Sequence, residues 1–93
     1  MGTQRIPQVN GARVVRALQR AGWQIDRIHG SHHVLIHAGK PNVTIVVPVH
    51  NRPIKKGILA DILSQATLSI REFRDLLLGA RVETFLHSNP YSW

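Results

Sequence analysis

The chain has 93 residues, 43% of them hydrophobic, and 12 Lys and Arg against 5 Asp and Glu, for a formal charge of +7. That length supplies one core and not two, and the charge calls for an anionic partner: nucleic acid, an acidic protein or an anionic membrane surface. No apolar run is long enough to span a membrane, the polar start with Pro7 argues against a secretory leader, and without cysteine there is neither a disulfide nor a thiolate metal site, so a cytoplasmic protein is expected.

In chain order, residues 1–9 read as a loose arm. From Asn10 the spacing is helical, with Val14, Val15, Ala17 and Leu18 on one face and Arg13, Arg16, Gln19 and Arg20 around the other. Asn10 or Gln8 can cap this helix, predicted over 10–21, and Gly22 stops it. Trp23 to His29 reads as a first strand, with Trp23 in the core, and Gly30-Ser31 as a turn. His32 to Ala38 is a second strand, Gly39-Lys40-Pro41-Asn42 a hairpin turn and Val43 to Val49 a third strand. Val43, Ile45, Val47 and Val49 then face the core.

Asn51-Arg52-Pro53 breaks the pattern. A helix follows from about 54–56 to Ala66, its core face formed by Ile58, Leu59, Ile62 and Leu63. Ser69 with Glu72 has the spacing of a capping box for a short helix that places Phe73, Leu76 and Leu77 on one face and stops at Gly79. Beyond it, Val82, Phe85 and Leu86 extend a helical pattern that Asn89-Pro90 ends. The order is helix, three-stranded meander, helix, short helix. This predicts an α+β fold, a three-stranded antiparallel sheet with helices on one face, as in the double-stranded-RNA-binding domain.

Five of the six histidines, His29, His32, His33, His37 and His50, gather around the hairpin. An isolated surface histidine is commonly only a solvated polar residue, but the hairpin changes the weighing. If its turn centres near residues 40–41, His32 and His33 come beside residues 48–50, at the sheet end that leads into Lys55-Lys56-Gly57. A helix start with free N–H groups and two lysines attracts phosphate, and imidazole transfers protons near neutral pH. A metal reading through His33, His37 and His50 lacks cysteine, lacks a nearby carboxylate other than Asp26 and lacks dense ligand spacing, so no metal and no cofactor is expected. Arg13, Arg16 and Arg20 form a one-sign stripe on the first helix. Such stripes are often merely solvated, but without neighbouring acids this one suits phosphates. Aromatic residues are only 5%, so base stacking on the sheet is not expected.

The ordered set Ile6-Pro7, Ala17-Leu18, Ala21-Gly22-Trp23, Gly30-Ser31-His32-His33, Val47-Pro48-Val49-His50, Lys55-Lys56-Gly57-Ile58-Leu59, Ile62-Leu63 and Leu68-Ser69 through Phe73 resembles the HicA (YcfA-like) toxins. The resemblance covers about residues 6–78 of a single domain and leaves 79–93 as a C-terminal extension. It implies a double-stranded-RNA-binding-domain-like fold and an mRNA interferase of a type II toxin–antitoxin module, blocked by a HicB-like antitoxin. The family's catalytic histidine corresponds to His32. The family often has Thr after the Lys-Lys-Gly glycine; here Ile58 stands there, which reads as a packing variation. If Val34 and Ile36 face the core, alternation turns His32 inward and His33 outward, so the pattern favours His33 where the motif favours His32. Strand ends twist and bulge, and His32 ranks first, His33 second.

The expectation is a metal-independent endoribonuclease in which His32 is general acid or base and the RNA 2′-OH the nucleophile, with His50 assisting. Arg13, Arg16, Arg20, Lys55 and Lys56 would hold the backbone of mRNA. The competing readings are a non-catalytic double-stranded-RNA-binding module and a protein-binding adaptor that uses Phe85 and Trp93.

Overall fold

The computed structural model describes residues 5–80. Helix α1 (Gly11–Arg20) leads into strands β1 (Gln24–His29), β2 (His32–Ile36) and β3 (Thr44–Pro48), followed by helices α2 (Lys56–Ala66) and α3 (Ile70–Leu77). The strands form one antiparallel sheet in the order β1-β2-β3. The fold is α+β, with the helices layered on one face of the sheet, as the double-stranded-RNA-binding-domain-like pattern anticipates. The predicted helix extension through Val82, Phe85 and Leu86, and Trp93, lie outside the described residues.

The core forms where helix periodicity meets sheet alternation. Val14, Ala17 and Leu18 of α1, Leu59, Ile62 and Leu63 of α2, and Phe73 and Leu76 of α3 close over Leu35, Ile45 and Val47 of the sheet. Trp23 joins them, 2% exposed, its ring edge-on to the His37 imidazole at 5.1 Å between centroids. Ile45 and Val47 are fully buried and Val43 and Val49 pack against the same core, as alternation in the third strand predicts.

Four details depart from the sequence reading. Of the β2 residues, Leu35 joins the main core cluster and pairs with Ile45; Val34 is also buried, 5% exposed, but outside that cluster, and Ile36 is 41% exposed. Ile58 is not on the core face of α2 but 41% exposed, and Ala66 takes its place in the core. The arm is tied down from residue 5 onward. Val9 is buried, its carbonyl accepts from the Ile54 N–H at 2.9 Å, and Asn10 forms a bridge with Pro53. Finally, β1 is an edge strand with every residue exposed, and a bulge between Ile25 and Arg27 interrupts its alternation.

Both helices that flank the sheet start at the same end of it. The Asn10–Pro53 bridge joins the segments that enter α1 and α2, and Gly11 lies against the backbone of Pro48 and Val49, where β3 exits. At the other end Ala21, Trp23, Ala66, Thr67 and His37 border one depression. α1 and α2 therefore run in the same direction. At that far end His37 acts as a clamp: its Nδ1 accepts from the Gly39 N–H and its Nε2 lies 3.1 Å from the Ala21 carbonyl, which ties the β2–β3 loop to the end of α1.

Candidate nucleic-acid site

Gly30 and Ser31 form a two-residue hairpin turn in which only Gly30 has a positive φ, +57°. Glycine reaches that conformation without strain and fixes the register of the strands it joins. His29 stands directly opposite His32, and His32 directly opposite Pro48. Directly paired residues project to the same side of a sheet. Since His33 pairs with Val47 and Ile28, it belongs to the helix-covered face, and His32 belongs to the open face with His29 and Pro48. His32 is exposed. His33 is half-buried, and its Nδ1 is buried with no hydrogen-bond partner among the described residues.

From Pro48 the chain bends through residues 49–55, held by a Val49 N–H to Ser31 carbonyl bond of 2.6 Å. The bend encloses an open cleft of about 300 Å³. Its lining combines His50, Arg52 and Lys55 with the apolar Pro48, Pro53, Ile54 and Ile58. His32 adjoins it through Pro48, its cross-strand neighbour.

The start of α2 gives this end its electrostatic character. In α1 the Asn10 Oδ1 accepts from the Arg13 N–H at 3.1 Å, and α3 carries the predicted capping box, with Ser69 Oγ accepting from the Glu72 N–H and Glu72 Oε1 from the Ser69 N–H. α2 has neither device. Lys55 occupies the N-cap without a side-chain hydrogen bond, and no acid lies in the first turn. The first amides of α2 are left to solvent or a ligand, and their partial positive charge adds to Lys55 and Lys56.

The structure gathers some of the sequence candidates and separates others. His32, His50, Lys55 and Lys56 share the end of the molecule where α2 begins, whereas His33 turns to the helix-covered face and His37 holds the opposite end together. Arg13, Arg16 and Arg20 line one shallow surface with Leu77, and Arg20 has an N–H committed to the Leu76 carbonyl at 2.7 Å. The ion pair found among the described residues joins Arg27 to Asp26, which leaves Arg13, Arg16, Arg52, Lys55 and Lys56 outside any described pair. No group of three or more His, Asp or Glu capable of holding a metal comes together among the described residues. The sequence reading did not count Arg52, Pro53 and Ile58, which line the cleft, as site residues: it took Arg52 and Pro53 as a break between elements and Ile58 as core. Arg52 had a signal, since it precedes Lys55 and Lys56 in a five-residue stretch free of acids.

Residues 11–68 match the family model described as the HicA toxin of bacterial toxin–antitoxin systems. The comparison with curated proteins returns no match. Among the described residues, no helix is long and apolar enough to cross a membrane.

Proposed function

Since the chain belongs to the HicA toxin family of bacterial toxin–antitoxin systems, which implies an antitoxin partner, we propose that it is an endoribonuclease that cleaves mRNA through His32 and is neutralised by a HicB-like protein. The observation that carries this reading is the pairing of exposed His32 with Pro48, which sets an imidazole beside a cationic cleft at the uncapped start of α2.

In the proposed reaction a phosphodiester lies against the first amides of α2, with Lys55, Lys56 and Arg52 around its oxygens. His32 takes the proton of the 2′-OH. A bond forms between the 2′-oxygen and phosphorus, the bond from phosphorus to the 5′-oxygen breaks, and the products are a 2′,3′-cyclic phosphate and a 5′-hydroxyl. His29, across the hairpin from His32, and His50, in the cleft wall, are the neighbouring imidazoles available to protonate the leaving oxygen. The nucleophile belongs to the substrate, so the protein supplies position, charge and proton transfer. Arg13, Arg16 and the remaining N–H groups of Arg20, which line a separate surface beside Leu77, would hold a further stretch of the backbone.

The test is cleavage of a synthetic mRNA by the purified protein, by His32→Ala and by His33→Leu. His32→Ala is expected to lose roughly 10² to 10⁴-fold in rate, and His33→Leu to retain cleavage. Loss with His33 and retention with His32 would reverse the assignment. No cleavage by any of the three proteins would leave a non-catalytic RNA-binding module.

A further inference from the structure

Ile58 is an anomaly in α2. The helix buries Leu59, Ile62, Leu63 and Ala66, yet it spends a branched apolar side chain, 41% exposed, on its first turns beside two lysines. The side chain is not scattered on open surface: with Pro48, Pro53 and Ile54 it supplies the apolar part of a cleft that His50, Arg52 and Lys55 also line. With apolar residues, the cations Arg52 and Lys55 and no acid in its lining, the cleft suits the two ends of a nucleotide, a flat base and an anionic phosphate. Its volume of about 300 Å³ lies at the small end of ligand-sized pockets and admits one nucleotide.

We propose that Ile58, with Pro48 and Pro53, seats a single unpaired nucleobase of the RNA, next to the phosphate held at the start of α2. This rests on the ribonuclease reading and adds a selection to it. A base packed against Ile58 cannot at the same time be stacked and paired in a duplex, so the protein discriminates for single-stranded segments although its fold is that of a duplex binder. The proline and isoleucine side chains carry no hydrogen-bonding group, so the apolar lining is tolerant of which base enters. Seating next to the reacting phosphate positions the 2′-OH relative to His32, and Ile58 is therefore a substrate-positioning contact.

The test uses an RNA oligonucleotide methylated at every 2′-oxygen, which binds without being cleaved, read by fluorescence anisotropy. The wild type is expected to bind the single strand more tightly than the same sequence in a duplex. Ile58→Ser should weaken single-strand binding about 5- to 10-fold, the size expected when a base covers part of an isoleucine side chain, and Ile58→Leu should restore it. Replacing one nucleotide at a time by an abasic residue should reveal a single sensitive position for the wild type and none for Ile58→Ser. Since Ile58 lies outside the core, thermal unfolding of both variants should match that of the parent. Cleavage of unmodified RNA by wild type, with unchanged binding by Ile58→Ser and no sensitive position, overturns the base seat and leaves the ribonuclease standing. Absence of cleavage by wild type overturns the ribonuclease reading itself. Equal affinity for strand and duplex, or saturable binding of adenosine monophosphate without binding of the oligonucleotide, overturns the proposed selection.

Discussion

Gly11 shows how closely the first helix is pressed onto the exit of β3. A Cβ built there would stand well inside contact distance of the Pro48 carbonyl oxygen and 2.8 Å from the Val49 Cα. Propensity alone favours alanine over glycine in a helix by roughly 0.5–1 kcal/mol. The obstacle is backbone on both counts, however, and backbone cannot rotate aside, so overpacking decides the sign. Gly11→Ala should lower stability by about 1–3 kcal/mol and, by lifting α1 from Pro48, should also slow RNA cleavage; chemical denaturation and a cleavage assay check the two effects separately. A variant as stable as the parent would mean that α1 is not seated against β3 as described. Two residues also mark the limit of what single side chains disclose. The apolar run Val34-Leu35-Ile36 offers either phase of alternation with equal merit, and only pairing with Ile45 settles that Leu35 points inward and His32 outward. Ile58 fits the helical apolar stripe as well as Leu59 does; its exposure follows from where α2 begins, which no local pattern encodes.

Among the elements, the start of α3 was legible to the residue, since each of Ser69 and Glu72 bonds the other's backbone N–H and the capping signal is wholly local. The bulge in β1 was not legible, because it exists only relative to β2. α2 carries an unused opportunity. A serine at position 55 would supply the missing N-cap, and a side-chain cap stabilises a helix by typically about 1 kcal/mol. It would also occupy the amides proposed to receive phosphate and remove one cation. Lys55→Ser should therefore raise the unfolding midpoint while lowering RNA affinity, an opposition measured by thermal denaturation and by titration with uncleavable RNA. Tighter RNA binding by the more stable variant would remove the start of α2 from the site.

For the molecule as a whole, the net charge of +7 becomes a quantity once the described pairs are set aside. Five cations, Arg13, Arg16, Arg52, Lys55 and Lys56, lie on the proposed RNA surface outside any described ion pair. If each neutralises one phosphate of a single strand, the logarithm of the binding constant should fall with the logarithm of salt concentration with a slope of about −3.5. A salt series with uncleavable RNA measures it, and a slope near zero would exclude a phosphate-dominated interface. The common direction of α1 and α2 has a consequence for how such a complex forms. Aligned peptide dipoles add, so the two helices give the protein a polarity of its own, with its positive pole at the end that holds His32. On the ribonuclease reading, RNA that comes within reach of these first turns meets two helix starts and their lysines together, so the protein should engage its substrate end-on, a preference that added salt should erode.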